Sequence, residues 1–189
     1  MARSRQQGII LIVTLIALVI LMISGIALVR SFNSSLILAG NIAFKRDLVN
    51  QGERGVAAAM GSFEGTGALV ADSTRQLNSF GNNYSATVLP SDPHGIPLML
   101  LNDTLWTMTG ADITDTTSGV TIRYVIDRLC NATGATTTAQ CVIGSAKIPP
   151  GGTGGLKKPL GNSAPVYRVT VRVTGPRNTQ TYMQSTLSF

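Results

Sequence analysis

Charged residues are scarce in this chain: Asp, Glu, Lys and Arg make up 13% of its 189 residues, and none of them lies between Ile9 and Val29. The chain also has a single histidine, a single tryptophan and only two cysteines. One histidine leaves little material for a catalytic triad or a zinc site. With a length that allows about one domain, these scarcities exclude a large soluble enzyme, and a single uncharged run excludes a polytopic membrane protein.

The run Ile9–Val29 is predicted to be a helix that spans a membrane. Fifteen of its 21 residues are Ile, Leu or Val, and Thr14 and Ser24 supply its only polar side chains. At about 1.5 Å per residue the run is roughly 31 Å long, which matches the hydrocarbon core of a bilayer. It is longer than the apolar part of a secretory signal and has no small-x-small site near its end, which favours a retained span. Arg3 and Arg5 favour a cytoplasmic N-terminus, although a further arginine directly after the run weakens that bias.

Apolar residues continue beyond the run at mostly three- and four-residue intervals, and charged residues fall largely between them. This spacing predicts one helix from Ile9 to about Phe63, apolar all round in its first half and amphipathic in its second. The apolar positions are Phe32, Leu36, Ala39, Ala43, Leu48, Val56, Ala59, Met60 and Phe63. The predicted organisation is therefore a span at 9–29, an amphipathic continuation at 30–64 and a globular head at 65–189.

The head is predicted to be an antiparallel sheet that packs on the apolar stripe of the helix, an α+β arrangement. A short strand is predicted at Asn83–Leu89. Alternation of apolar and polar residues predicts a half-buried strand at Val120–Asp127 and another strand at Tyr167–Thr174. The last strand is expected to form a hairpin with Thr179–Leu187 through a turn at 175–178 (sequence GPRN).

Cys130 and Cys141 are predicted to form a disulfide, because the head is expected to lie across the membrane in an oxidising compartment. Chain-entropy models give such a short loop roughly 3 kcal/mol of stabilisation. Zinc binding is the rival interpretation, although the two thiols and His94 do not fill four coordination positions.

The first eight residues, MARSRQQG, are basic and end in Gly8 directly before the apolar run. This segment resembles the leader of type IV prepilins and of type II secretion pseudopilins. Four further stretches are similar to the PilX-like minor pilins of type IV pili: AGNIAFK at 39–45, ERGV at 53–56, YVIDRLC at 124–130 with Cys141 downstream, and YRVTVRVTGPRN at 167–178. The resemblance covers both ends of the chain, whereas residues 65–119 resemble only a generic pilin head.

The resemblance implies the type IV pilin fold and removal of residues 1–8 by a prepilin peptidase. Cleavage between Gly8 and Ile9 would leave Ile9 as an N-methylated first residue. The implied partners are other minor pilins, the major pilin and the pilus assembly machinery of the inner membrane. The implied location is the bacterial inner membrane, with a single span, a cytoplasmic N-terminus and a periplasmic head, and then the pilus at the cell surface.

Val13 departs from the pattern of major pilins, which carry a glutamate at the fifth mature position. In that family the carboxylate is understood to neutralise the α-amino group of the neighbouring subunit inside the membrane. A buried, unpaired ammonium is unfavourable, so a subunit without this glutamate is poorly suited to accept a neighbour ahead of it. PilX-like members are similar in often lacking the glutamate. We therefore expect this subunit at or near the filament tip.

Charge is distributed unevenly along the head. From Arg128 to Phe189 there are seven basic residues and no acidic one, whereas acidic residues predominate between Asp72 and Asp127. The interpretations are an ordinary solvated face, a face that docks on other minor pilins, and, as the least favoured, a DNA-binding face. The candidate docking residues are Lys157, Lys158, Arg168, Arg172 and Arg177.

No motif in the sequence supports catalysis, and neither an enzymatic activity nor a cofactor is expected. His94 lies in a Pro/Gly-rich loop, and Asp112 and Asp115 fall short of a calcium loop in spacing and ligand number. The expected function is that of a minor pilin that primes pilus assembly and sits near the filament tip, where it supports pilus biogenesis, adhesion and twitching motility. The alternatives are a type II secretion minor pseudopilin and a single-pass envelope protein that binds DNA.

Overall fold

The computed structural model describes residues 7–144 and 164–188. Its first element is a single helix, α1, at Gln7–Gly61. The helix predicted from Ile9 to Phe63 is therefore confirmed to within two residues at either end. At its C-terminal end α1 tightens, because the Ser62 and Phe63 amides donate to carbonyls three residues earlier. The chain divides at Arg46 into two compact units, so α1 contributes residues to both.

In the first unit, every residue from Ile9 to Arg46 is exposed. The two polar side chains of the apolar run bond to the helix itself, since the Thr14 hydroxyl donates to Leu11 O at 2.9 Å and the Ser24 hydroxyl donates to Ile20 O at 2.8 Å. Neither hydroxyl therefore needs water, which suits them to an apolar surrounding. By length and composition this helix is able to span a membrane.

The second unit contains a five-stranded sheet with the strand order β1-β3-β4-β5, in which β2 also pairs with β3. The strands are β1 at Tyr84–Ser85, β2 at Ile113–Asp115, β3 at Val120–Arg128, β4 at Val166–Gly175 and β5 at Thr179–Ser188. The hairpin of β4 and β5 is confirmed, with Pro176–Asn178 as its turn. All pairs are antiparallel except β1 with β3, so the sheet is mixed rather than fully antiparallel.

The strand predicted at Asn83–Leu89 is wrong for most of its length, because only Tyr84 and Ser85 pair with β3. Asn83 has a left-handed backbone conformation, and beyond the strand the Leu89 amide donates to the side chain of Asp127 instead of to a neighbouring strand. The hydrogen bond from Leu89 to the Asp127 side chain thus takes the place of a backbone bond that a longer strand would form. The strand β2 was not predicted.

The inner face of the sheet packs against the last four turns of α1. Leu48 and Ala59 are fully buried there, and the Phe63 and Tyr167 rings lie 5.0 Å apart between centroids. This core cluster consists of Leu48, Ala59, Phe63, Leu69, Tyr84, Ala86, Val120, Ile122, Ile126, Tyr167, Val169, Val171 and Val173. Gly52 and Gly55 face the sheet, so their lack of a Cβ allows the helix to approach β3, β4 and β5 closely.

The outer face of the sheet is covered by the segment 89–112, which includes the short helix α2 at Leu98–Leu101. A second cluster forms there from Met99, Leu100, Met108 and Val125. Val125 to Arg128 are all buried, and so are most residues of β4. The prediction of a half-buried β3 is therefore wrong for its C-terminal half, because a covering layer replaces solvent on the outer face.

Gly55 provides a test of this close packing. A Cβ at this position would lie 2.7 Å from Val171 Cγ1 and 2.9 Å from Ile122 Cγ2. We expect Gly55→Ala to lower the free energy of unfolding of the second unit by about 1–3 kcal/mol, the usual effect of overpacking, despite the better helix propensity of alanine. Thermal unfolding of the full chain in detergent micelles measures this.

Gly40→Ala is the matched control, since nothing lies within 4 Å of a Cβ there. It should leave the unfolding temperature unchanged or raise it slightly. Equal unfolding temperatures for the two variants would contradict the proposed contact between α1 and the sheet.

Candidate functional site

The main candidate site is the exposed apolar surface of α1. Between Ile9 and Arg46 the sequence has three basic residues and no acidic one. Ile9 and Val13, the predicted first and fifth residues of a mature chain, are both exposed. The bond between Gly8 and Ile9 falls in the first turn of α1, which begins at Gln7. This helix therefore presents an almost unbroken apolar surface that the described part of the chain leaves uncovered.

Beyond the predicted span, polar side chains appear on one side of α1, where Ile37 and Leu38 are also exposed, at 67% and 61%. Phe32 and Leu36 remain 66% and 69% exposed. Since successive residues turn by about 100° around a helix, the stripe formed by Phe32, Leu36, Ala39 and Ala43 lies opposite Arg30, Ser34, Asn41 and Lys45. We call the four apolar residues the outer stripe of α1. It has the form of a helix surface that packs against another helix.

Arg168, predicted as part of a basic docking face, lies inside the head. It is 9% exposed, and its guanidinium forms a bidentate salt bridge with the Asp127 carboxylate. The Nε–Oδ1 distance is 2.9 Å and the Nη2–Oδ2 distance is 2.6 Å. A further bond runs from Arg168 to Gly95 O at 2.9 Å, and Asp127 also accepts the Leu89 amide. Every part of this buried pair is therefore hydrogen-bonded, which a buried pair requires. The pair also fixes the loop 91–97 to the sheet.

Arg172, the second arginine on this face of β4, also forms hydrogen bonds and an ion pair within the head. It is 6% exposed, donates to Leu100 O at 2.7 Å and pairs with Asp103 at 2.6 Å. Arg123 on β3 pairs with Asp103 and with Asp112, both at 2.7 Å. The hydrogen bond from Arg172 lowers the pKa of Asp103, and the hydrogen bond to Asp112 raises the pKa of Arg123. These arginines attach the covering segment to the sheet.

The predicted basic docking face is therefore wrong for Arg168 and Arg172. They point outward from the sheet as the alternation requires, but a layer of chain covers them and supplies their acceptors. Arg177 lies in the exposed turn before β5 and forms no ion pair within the described residues. Lys157 and Lys158 lie outside the described residues.

The predicted disulfide is present between Cys130 and Cys141. Directly before it, Arg128 is fully buried, and its guanidinium donates to the carbonyls of Ala86, Ala132 and Gly134. The last two carbonyls belong to the loop that the disulfide closes. Sequence reasoning did not find this role of Arg128, because carbonyl acceptors leave no trace in a charge pattern.

The remaining candidates are accounted for by local contacts. Asp112 holds Arg123, and Asp115 accepts the amides of Thr117 and Ser118. Those hydrogen bonds, chiefly the one from Ser118, lower the pKa of Asp115. Residues 7–144 and 164–188 contain no group of three or more acidic, histidine or cysteine side chains placed to hold a metal ion.

Comparisons with protein-family models, with curated proteins and with solved structures found no match to this chain. The α+β architecture, a long N-terminal helix on a mixed five-stranded sheet, is consistent with a pilin-like fold.

Arg168 and Arg177 provide a matched pair of substitutions. We expect Arg168→Met to lower the free energy of unfolding by about 3–5 kcal/mol, because Asp127 would be left buried without its partner. Arg177→Met should change it by about 0.5 kcal/mol or less, as is usual for an exposed residue. Denaturant titration of the full chain in micelles measures both values. Similar small effects for the two variants would contradict the buried ion pair.

Proposed function

We propose that this chain is a PilX-like minor pilin, a subunit stored in the inner membrane that primes type IV pilus assembly and stays near the filament tip. The observation that carries the proposal is that the apolar surface of α1 extends well beyond the length of a membrane span. The proposal includes a single span with a cytoplasmic N-terminus, a periplasmic head, partners among other minor pilins and the major pilin, and no catalysed reaction.

The length of the apolar surface supports assembly as well as anchoring. Ile9–Val29 fills the hydrocarbon core, at roughly 31 Å. The exposed helix from Arg30 to Asp47 adds about 27 Å at the same rise per residue, and this part lies beyond the hydrocarbon. Lipid tails do not reach the outer stripe there. Helices of other subunits offer the close apolar contact that the stripe needs, and within the membrane such helices replace lipid at little loss.

The N-terminal sequence supports the same function. A basic leader that ends in Gly8 would keep the head on the far side of the membrane until cleavage. Cleavage removes Arg3 and Arg5 and places the new α-amino group at the end of the apolar surface. With Val13 in place of a glutamate, this subunit offers no carboxylate to the α-amino group of a subunit ahead of it. A position at the tip avoids that unpaired charge, and there the head is free to support adhesion and twitching motility.

A type II secretion minor pseudopilin shares the leader and the helix, so it remains the second candidate. The partners that co-purify with the chain distinguish the two: pilus subunits for the first, secretion components for the second. The third interpretation is an envelope protein that binds DNA through its basic region. Arg168 and Arg172 do not favour it as phosphate ligands, because they form ion pairs with Asp127 and Asp103 within the head.

Leader cleavage is tested by the intact mass of the chain isolated from its native host. We expect a chain that begins at N-methylated Ile9, and we expect Gly8→Val to retain all eight leader residues and to be absent from sheared surface filaments. Gly25→Val is the matched control, because Gly25 lies within the span and nothing lies within 4 Å of a Cβ there. An unprocessed wild-type chain would contradict the proposal.

Placement at the tip is tested by Val13→Glu. The new carboxylate would neutralise the α-amino group of a neighbour, so we expect several-fold more of this subunit per filament length, measured by quantitative mass spectrometry of purified filaments. Val19→Glu is the control, since it puts the same charge in the span six residues away; it should not increase incorporation. If Val13→Glu leaves incorporation unchanged, the missing carboxylate does not set the position of the subunit.

A further inference from the structure

Within residues 7–144 and 164–188, nothing pairs with the outer edge of β5. β5 is the last strand of the described sheet, and its one strand partner among the described residues is β4. Its ten residues, TQTYMQSTLS, include no charged residue, no proline and no glycine. Within the described residues, no backbone bond outside the ladder involves a β5 residue. Edge strands of natural proteins are usually protected against pairing with other chains by charge, proline, a bulge or a covering segment. In the part of the chain that the structure describes, β5 has none of these features.

The opposite edge of the sheet is formed by two short strands, β1 and β2, of two and three residues, whereas β5 has ten. β2 pairs with residues 120–122 of β3, and β1 pairs with residues 126 and 127. Among the described strands, β5 therefore offers the longest edge to which a further strand can be added. Such an edge offers a row of N–H and C=O groups to any extended segment of suitable shape.

We propose that β5 binds an extended strand supplied by a different polypeptide, which adds a further strand to the sheet. Met183 and Leu187 pack toward the core beside α1, so the incoming strand should carry apolar side chains at alternate positions on that face. On the other face, where Gln184 and Thr186 are exposed, it should carry small uncharged polar residues. A carboxylate at the end next to Arg177 would complement the exposed guanidinium there.

A second copy of this chain is a poor occupant of the edge. An antiparallel pair of β5 strands requires a two-fold axis perpendicular to the sheet, which would run the two α1 helices in opposite directions. A parallel pair would put the two α1 helices on opposite faces of the joined sheet. Head-to-tail addition is unfavourable because β1 and β2 offer only two and three residues to a ten-residue strand. This elimination rests on the proposed function, in which the helices enter one membrane in the same direction and pack together.

The test uses hydrogen exchange of the β5 amides in the full chain in detergent micelles. The probe is a synthetic peptide of alternating Thr and Val with a C-terminal Asp, about ten residues long to match β5. We expect saturating probe to slow exchange of the outward-facing β5 amides at least about tenfold, because each would gain a hydrogen bond. A peptide with proline at alternate positions should have no effect, since it lacks the donors.

Thr186→Lys should weaken binding of the probe about fivefold or more, because a lysine at an edge opposes strand addition. The control is Thr116→Lys, which adds the same charge at an exposed position in the turn between β2 and β3.

Exchange that does not respond to the probe, or that responds equally to the proline peptide, would overturn the proposal. So would slow exchange without any probe, which would mean that the chain's own residues 145–163 already occupy the edge. Protection that grows with protein concentration would assign the edge to a second copy. None of these outcomes depends on leader cleavage, so the failure of this proposal is distinguishable from failure of the proposed function.

Discussion

The structure depends on one constraint: α1 carries far more apolar surface than the rest of the described chain covers. From Ile9 to Arg46 every residue of this helix is exposed, and its only two polar side chains within the span bond to its own backbone. By length and composition the first part of this surface is able to span a membrane, and under the proposed function the outer stripe lies beyond the lipid tails. Under the proposed function, an anchor in a membrane and a contact with other helices are therefore two successive requirements of one element.

The head is held together by a different set of interactions. The last turns of α1 approach the sheet closely through Gly52 and Gly55, and a core of β-branched and aromatic residues forms on that face. On the other face, guanidinium groups fix a long irregular segment to the strands through aspartates and backbone carbonyls. Within the described residues, Arg168 and Arg172 of the basic half pair with Asp127 and Asp103 of the acidic half, so this part of the charge asymmetry reflects internal pairing.

The elements that sequence reasoning found are those with a strong local signal. The 21-residue apolar run, the spacing that follows it, and the GPRN turn between β4 and β5 predict α1 and the hairpin correctly, because each signal is contained in a few neighbouring residues. The covering segment has no periodicity, so the sequence predicts a half-buried β3 beneath it. The aspartates of the network lie 41 residues before Arg168 and 69 residues before Arg172. The register of β3 against β4 brings Asp127 to Arg168, and the path of the covering segment brings Asp103 to Arg172.

The most direct test of the account is whether the outer stripe is covered in the cell. Because Cys130 and Cys141 are the only cysteines and are joined, a cysteine introduced on α1 is the only free thiol. The measurement is the rate at which a membrane-impermeant maleimide labels Leu36→Cys and Ser34→Cys in intact cells of the native host. The two positions lie on opposite sides of the helix, two residues apart. If other helices pack on the stripe, Leu36→Cys should react at least about tenfold more slowly than Ser34→Cys, because local opening must precede its labelling. Equal rates at the two positions would mean that the stripe is bare, which would contradict the account.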